Sequence, residues 1–552
     1  MNKNQTYYPR PMFKRNSYFS LNGTWDLNNH SINVPYPKES SLANYPNKEY
    51  EEELIHQKEF QLPSNFYSSN DKVILHFEAV DNISHVYLNG NYLGEHIGGY
   101  LPFSFDITSF LKENNILKVI VKDNTDSFYP FGKQTKNPKG MWYTATSGIW
   151  KSVWLEVVPK ENEIRNIKIN TTLNNIHLYV DTNSPYKISI PFDEEEYSNT
   201  FNQKDIDINI SNIKHQNWDT NNPTIYPLII ETESDKIESY IAIRQFEIKE
   251  SNGIKLFYLN NKPIYLNGVL DQGYFIDGIY RPLNPNEYLK DIQRMKELGF
   301  NMLRKHIKVE DEMFYYYCDT NGMLVMQDMV NSGEVNFIKN ILLPTIGFTH
   351  QKDDKHVDDD RLSFFIKHSK GIIEHLYNHP CIISWTIYNE SWGQQCASKV
   401  YKELKQLDKY RPFDTCSGWY KTYNSDIDSY HVYFRNKILH IKNKQQVLFL
   451  SEYGGIKRHI KGHEYSNANY GYGSSNNEKE LTDKLENIYL KTLIPSIKNG
   501  LAGSVLTQLS DVENEVNGLY TYDRLVCKVD PKRIKKLNDS LYELFNSLFV
   551  AQ

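Results

Sequence analysis

Cysteine is scarce and unpatterned. The five in 552 residues (Cys318, Cys381, Cys396, Cys416 and Cys527) are odd in number, scattered, and show no CxxC spacing. That argues against a zinc knuckle or a disulfide frame and for free thiols in a reducing compartment. A basic excess is also missing. Lys and Arg number 62 against 68 Asp and Glu, a net −6, which leaves no electrostatic footprint for nucleic acid. No run approaches the roughly 20 apolar residues of a membrane span, and the opening Met-Asn-Lys-Asn-Gln-Thr-Tyr-Tyr lacks the apolar core of a secretory signal. The expected setting is therefore cytoplasmic, with neither nucleic acid nor membrane as partner. At 39% hydrophobic and 24% charged residues, the composition is that of a folded globular protein and not of a collagenous, coiled-coil or disordered chain. The length predicts three or four domains at roughly 100–200 residues each. Aromatic residues make up 14%, with 41 tyrosines; their faces suit sugar rings, but tyrosine fills sheets just as well.

Up to about residue 160 the chain reads as short strands. Val73, Leu75 and Phe77 alternate with Lys72, His76 and Glu78, Ile74 being the one exception, and Val86-Tyr87-Leu88 runs into Asn89-Gly90, a hairpin signal. Leu117–Val121 and Gly148–Glu156 are further strands. With no helical period in sight, residues 1–160 are expected to form a β-sandwich. Residues 161–249 keep shorter strands (167–169, 176–180, 228–230) between polar turns, which fits one small immunoglobulin-like sandwich. From 250 to 552 the pattern changes to strand candidates at 264–269, 301–304, 323–326, 381–387, 413–416, 428–433, 447–450 and 503–506. Helix-like segments at 288–295, 362–377, 394–408, 478–496 and 534–547 lie between most of them. Eight strand–helix units describe a (β/α)8 barrel, although no helix is visible after the fifth strand.

In such a barrel, reacting groups sit at the C-terminal ends of the strands. Glu390 closes Trp385-Thr386-Ile387-Tyr388-Asn389-Glu390, the fourth strand, and Glu452 closes Val447-Leu448-Phe449-Leu450-Ser451-Glu452, the seventh. Two carboxyls at one mouth suit glycoside hydrolysis, where one protonates the leaving oxygen while the other attacks the anomeric carbon or activates water. Two ordinary glutamates at strand ends would look the same. Asn389 sharpens the assignment, because an amide beside Glu390 could hold a sugar hydroxyl near the reacting carbon.

Asn389-Glu390 after an apolar strand, with Ser451-Glu452-Tyr453-Gly454-Gly455 some sixty residues on, resembles glycoside hydrolase family 2. Gly99–Thr108 and Ser147–Glu156 are similar to that family's N-terminal jelly roll. His215–Trp218, Pro223–Tyr226 and Arg244–Phe246 resemble its immunoglobulin-like domain, so the likeness spans about 20–550. The resemblance implies a jelly-roll sandwich, an immunoglobulin-like sandwich and a TIM barrel. It also implies a retaining exo-β-glycosidase that acts on an oligosaccharide or glycoside, with Glu452 as nucleophile, Glu390 as acid/base, and no metal or organic cofactor. Tyr433 falls where the family places a tyrosine beside the nucleophile. Arg304 and His306 match its arginine-then-histidine pattern, the arginine supporting the carboxylates. His431, at the same strand end as Tyr433, is a candidate contact to a sugar hydroxyl. Asp271 (with Gln272) and Asp328 are candidate hydroxyl acceptors, and Trp419 a candidate stacking platform.

Departures bear on the sugar. Gly455 stands where large β-galactosidases have a histidine, and Thr507 where a tryptophan is common. β-Glucuronidases carry an Asn-x-Lys motif before a Gly-Leu-Tyr-Thr-like stretch; here Glu515-Val516-Asn517 precedes Gly518-Leu519-Tyr520-Thr521, without the cation. A neutral β-hexoside, galactoside first, is therefore expected ahead of a glucuronide or mannoside. The other open readings are a non-catalytic carbohydrate-binding protein, transglycosylation by the same residues, and a homo-oligomer. The chain ends soon after the eighth strand and its helix, so additional C-terminal β-domains are not expected. Residues 331–360, a long connection, are expected to shape the pocket or reach a neighbouring subunit.

Overall fold

Along Asn115–Lys122 the side chains of Leu117, Val119 and Val121 are buried, while those of Ile116 and Lys122 face water. This period of two repeats through the first 160 residues and dictates a sandwich. The computed structural model describes residues 7–123, 126–335, 358–422, 424–433, 435–467 and 469–550. One sheet has six strands, in the order His30–Val34, Gly23–Leu27, Leu54–Phe60, Asn115–Lys122, Ile83–Leu88, Asn91–Ile97. The facing sheet has four, in the order Tyr18–Ser20, Val153–Pro159, Asp71–Phe77, Phe103–Asp106. Trp25, Leu75, Phe77, Val119 and Leu155 fill the space between them. The anticipated hairpin forms at Asn89-Gly90, both at positive φ (53° and 84°), as a tight two-residue turn requires.

A second sandwich follows. It has a three-stranded sheet (Ile167–Thr171, Asn175–Val180, Asp205–Asn209) and a four-stranded one (Glu196–Phe201, Tyr186–Pro191, Tyr226–Glu231, Lys236–Ile241), closed over isoleucines 176, 188, 208, 230 and 237. The hairpin Phe246–Ser251 with Ile254–Leu259 then leads into an eight-stranded, all-parallel sheet. Its strands are β1 (Leu266–Asp271), β2 (Met302–Lys305), β3 (Leu324–Asp328), β4 (Ile382–Asn389), β5 (Phe413–Ser417), β6 (Ile427–Val432), β7 (Val447–Gly454) and β8 (Gly503–Thr507). They run 5-4-3-2-1-8-7-6, a nearly closed barrel. At the β5/β6 seam, side chains assist the backbone: Ser429 Oγ donates to Asp414 (2.9 Å), and the Thr415 N–H donates to Ser425 Oγ (3.1 Å).

Each strand lies within a few residues of its expected place, but several extend further toward the mouth. β7 reaches Gly454 and β4 reaches Asn389. Helices α1 (Asn286–Glu297), α2 (Glu312–Asn321), α3 (Asp359–Leu376), α4 (Ala397–Leu407), α5 (Glu478–Ile488) and α6 (Pro531–Phe549) cover the barrel. Of the eight expected strand–helix units six are complete: among the described residues no helix follows β5, where none was visible in the sequence, and none follows β6, where the expectation is corrected. The helix expected over 478–496 forms as one run, α-helical at Glu478–Ile488 and again at Ile494–Ile497. Between them lies a π turn, Tyr489–Leu493, because Pro495 lacks the N–H that an unbroken α-ladder needs. Of the connection 331–360, residues 336–357 lie outside the described residues.

Candidate active site

Parallel strands buried on both faces must end in polar groups where they emerge, and here eight such ends converge. Arg304, the penultimate residue of β2, is fully buried and organises the mouth. Its Nε and Nη2 grip Asp328 at the end of β3, each at 3.0 Å in a two-point fork. Nη1 donates to Glu452 Oε1 (3.0 Å) and to the Ser451 carbonyl (3.2 Å), and Nη2 also reaches Asn389 Oδ1 (3.0 Å). One guanidinium thus fixes the ends of β3, β4 and β7 together. Because Asn389 accepts through its oxygen, its NH2 remains available to a ligand.

Glu452 Oε1 is held by Arg304, and Oε2 accepts a very short hydrogen bond from the Tyr433 hydroxyl, which also lies 3.2 Å from Thr507 Oγ1. Burial alone would push the Glu452 carboxyl up. Electrostatic interaction with His431 and Arg304, then with His306 and Lys133, outweighs it and holds the pKa at about 2. Glu452 is therefore an anion at neutral pH. Its charge and the burial together drive the Tyr433 phenol well above its ordinary range, so Tyr433 stays a donor.

Glu390 follows β4 at φ +50°, with Ser391 at +62°. Two consecutive left-handed residues turn the chain sharply at the mouth. The Glu390 side chain is one-fifth exposed, so it can meet a ligand. His431, buried at the end of β6, bridges the two carboxyls: Nδ1 lies 2.7 Å from Glu390 Oε1 and Nε2 lies 3.5 Å from Glu452 Oε1. Oxygens of Glu390 and Glu452 and a His431 ring nitrogen all fall within 4.8 Å of one another. Three such donors could gather a cation. The Glu452 oxygens, however, already accept from Arg304 and Tyr433, an arrangement that suits proton transfer and nucleophilic attack without rearrangement.

The remaining expected residues divide. Trp419 is half-buried with its ring 5.4 Å from that of His431, at the mouth. His306 binds Asp328 through Nδ1 (2.7 Å), while its buried Nε2 makes no hydrogen bond among the described residues. Burial and the nearby Lys133 lower its pKa to about 4, so it is neutral. Asp328 and Asp271, expected as hydroxyl acceptors, are instead engaged by the protein. Asp328 is gripped by Arg304 and His306, while Asp271 accepts from Lys305 Nζ (2.6 Å) and the Gly273 N–H (2.9 Å). The cause lies in the ladder, where Asp271 pairs in register with Lys305.

Several site residues carry no mark in the sequence. Ser417, ending β5, lies 3.1 Å from His431 Nε2. Tyr472 stacks on Tyr433 with ring centres 4.0 Å apart. Gly418 is tight against the His431 ring, where an added Cβ would come within 2.6 Å. The N-terminal sandwich closes over the mouth. Tyr143 donates a very short hydrogen bond to Glu515, the Thr144 N–H donates to Glu513 (2.9 Å), and Lys151 Nζ reaches the Glu310 carbonyl (2.8 Å). Trp142 packs edge-on against Trp392, ring centres 4.8 Å apart.

Comparison with known proteins agrees with this architecture. Residues 13–159 match the family 2 glycosyl hydrolase sugar-binding domain, and 247–502 match that family's TIM-barrel domain. A Formosa agariphila protein named as a provisional β-glucuronidase is 26% identical over 534 residues, covering 83% of this chain and 59% of its own length. A β-galactosidase of Thermoanaerobacterium thermosulfurigenes is 26% identical over 505 residues, 84% of this chain and 64% of its own. The chain thus spans about three fifths of the length of these two relatives. Among solved structures, a β-D-glucuronidase of Dictyoglomus thermophilum superposes with a TM-score of 0.76 at 19% identity, covering 97% of this chain and 98% of that one. A β-galacturonidase of Eisenbergiella tayi superposes with a TM-score of 0.70 at 17% identity over 97% and 98%; both likenesses bear on the fold. With the two family domains together covering most of its length, this chain belongs to glycoside hydrolase family 2.

Proposed function

We propose that this chain is a retaining exo-β-glycosidase that works through a covalent glycosyl-enzyme on Glu452, with Glu390 as acid and then base. The observation that carries the reading is the approach of Glu390 and Glu452 oxygens to within 4.8 Å, with Glu452 kept ionised. Retaining pairs stand about 5–5.5 Å apart, whereas inverting pairs need roughly 6.5–9.5 Å to admit a water between them. In the first step Glu452 attacks the anomeric carbon from one face while Glu390 protonates the departing oxygen on the other. As the bond forms, the negative charge on Glu452 disappears. Arg304 and Tyr433 then hold an ester oxygen, and a deprotonated Glu390 no longer faces an anion. In the second step Glu390 takes a proton from water, which attacks the same carbon and restores the starting configuration. In this reading the Asn389 NH2, free because Asn389 Oδ1 accepts from Arg304, binds a sugar hydroxyl near that carbon.

For the sugar, sequence motifs favoured a neutral hexoside, galactoside first, and relatives named β-galactosidase support that reading while others named β-glucuronidase support a uronide. The chemistry is tested by proton NMR of the first-formed product together with azide rescue of Glu390→Ala. The account expects the β-anomer first and a β-glycosyl azide from the variant. An α-anomer as first product would contradict it. A carbohydrate-binding protein without catalysis would give neither product.

A further inference from the structure

His431 meets Glu390 and Glu452 through opposite ring nitrogens, and its surroundings decide which nitrogen carries a proton. Nδ1 lies 2.7 Å from Glu390 Oε1, while Nε2 lies 3.5 Å from Glu452 Oε1 and 3.1 Å from Ser417 Oγ. The imidazole is fully buried, so these protein groups and not bulk water set its protons.

The constraint starts at an irregularity between β6 and β7. Their register shifts so that Tyr430 pairs with Leu450 and His431 with Glu452, and Ser451 is passed over. There the Ser451 hydroxyl donates to the Tyr430 carbonyl (3.2 Å). A carbonyl only accepts and a hydroxyl has one proton. Ser451 Oγ can therefore only accept from its other neighbour, Ser417 Oγ, at 3.0 Å. The Ser417 proton is spent in turn, which leaves Ser417 Oγ an acceptor toward His431 Nε2. Glu452, an anion, only accepts as well. Nε2 thus faces two acceptors and is the nitrogen that must be protonated.

A neutral ring protonated at Nε2 has a bare lone pair at Nδ1. A carboxylate oxygen 2.7 Å from that lone pair would be repelled, so the contact needs one proton between Glu390 and His431, on the oxygen or on the nitrogen.

We infer that His431, oriented by the Ser417–Ser451 relay, holds the acid proton of Glu390 between turnovers and drives Glu390 to recover it after the leaving group departs. The inference rests on the glycosidase reading and adds the residue that governs its proton. In the first step the proton passes to the leaving oxygen, which keeps the electron pair of the broken C–O bond, while Glu452 bonds to carbon. Glu390 is then a carboxylate facing the Nδ1 lone pair. In the second step it takes a proton from water, whose oxygen bonds to carbon as the ester electrons return to Glu452. The resting contact is thereby restored.

Other ionisable groups around the pair do not compete for this proton. Asp414 accepts from Ser429 Oγ (2.9 Å), and burial lifts its carboxyl to about 6, on the acid side of a pH profile. Burial raises the phenols of Tyr433, Tyr470 and Tyr472, and Arg304 is engaged by Asp328 and Glu452.

The test measures kcat/KM against pH for the full chain and its His431→Phe and Ser417→Ala variants. The substrates are β-galactosides and β-glucuronides of 4-methoxyphenol, whose oxygen needs a proton to leave, and of 2,4-dinitrophenol, whose oxygen does not. In His431→Phe the basic limb for the methoxyphenyl glycoside should move to lower pH by about one unit or more. At pH 7 the loss of kcat/KM should be at least about tenfold greater for that substrate than for the dinitrophenyl one. Ser417→Ala should move the limb the same way by a smaller step, and an unmoved limb there overturns the relay. A disturbance of packing alone would lower both substrates together and leave the limb in place. A limb that stays in folded His431→Phe overturns the inference, and so does one that moves to higher pH, as it would if Nδ1–H donated to a Glu390 carboxylate. Should His431→Phe not fold, 15N-histidine NMR of the wild-type chain, with His431 assigned through its response to Glu390→Gln, reads the ring directly. A proton on Nε2 is expected, and a ring protonated at Nδ1 alone overturns the inference. If glycosides are cleaved through a labelled Glu452 while limb and ratio stay unmoved, the assignment to His431 alone falls. If nothing is cleaved and an activated 2-deoxy-2-fluoro-β-glycoside labels nothing, the glycosidase reading falls with it.

Discussion

Replacing Arg304 by methionine removes the one cation that ties three strand ends together. In the native site its guanidinium makes five contacts of 3.0–3.2 Å, two to Asp328 and one each to Glu452, the Ser451 carbonyl and Asn389. Methionine fills a similar volume but leaves Asp328 with His306 alone and Glu452 with Tyr433 and His431. Removing one partner of a buried pair costs about 3–5 kcal/mol, because a carboxylate stays behind uncompensated. At roughly 2 °C per kcal/mol for a domain of this size, the unfolding midpoint should drop on the order of 6–10 °C. Activity should suffer separately. Arg304 is one of the charges that bring the Glu452 pKa to about 2 against the opposing effect of burial. Without it the Glu452 pKa rises, so the acid limb of kcat/KM should move to higher pH and neutral-pH kcat/KM should fall by roughly two to three decades. Arg304→Lys keeps a charge but cannot present a two-point fork, so it should recover the acid limb better than the rate. The assay is a pH–rate profile on folded protein, with unfolding followed in parallel. An acid limb that stays in place in Arg304→Met, with kcat/KM within threefold of wild type, would refute the reasoning.

Three further outcomes follow from single contacts. Tyr433→Phe removes the hydroxyl that donates to Glu452 Oε2, and kcat is expected to fall about 10- to 100-fold with little loss of stability, as checked by steady-state kinetics and thermal unfolding. Gly418→Ala adds a Cβ within 2.6 Å of the His431 ring at a φ of +85°, so kcat should fall at least about tenfold as the bridge between the carboxyls shifts; unchanged kinetics would mean that the His431 position is not needed. Glu310 is buried between Lys305 (3.0 Å) and Lys308 (2.8 Å), whose charges outweigh burial and lower its pKa to about 2. Its stabilising effect is therefore complete above the unfolded value of about 4.3 and is lost as pH falls toward 2. Glu310→Gln should destabilise by about 3 kcal/mol at pH 7, with the difference from wild type shrinking between pH 4 and 2 in denaturant titrations.

The convergence of polar groups at the strand ends was legible because residues that close the parallel strands of a barrel meet at one mouth. Glu390, Glu452, Arg304, His431 and Tyr433 all sit within one or two residues of such an end, and the barrel topology makes them converge. Register was harder to read. Asp271 looked like a free acceptor, but its parallel partner in the ladder is Lys305, a pairing visible only once β1 and β2 are aligned. The helix over 478–496 was legible as one run because its apolar period persists past Ile488; the π turn within it was not, because Pro495 changes the hydrogen-bond ladder without disturbing that period. Residues brought in by docking left no local trace. Tyr143 and Thr144 lie in a sandwich whose own strands explain its core, and only its placement over the barrel mouth gives them a part in the site.

The most direct test of the central claim is to incubate the protein with activated 2-deoxy-2-fluoro-β-glycosides, both a uronide and a galactoside, and to map the label by peptide mass spectrometry. The account predicts one fluoroglycosyl group, carried by Glu452, with turnover lost in step with labelling and regained as the adduct slowly hydrolyses. A protein that cleaves glycosides yet carries the label on another residue, or is inhibited without any covalent adduct, would contradict it.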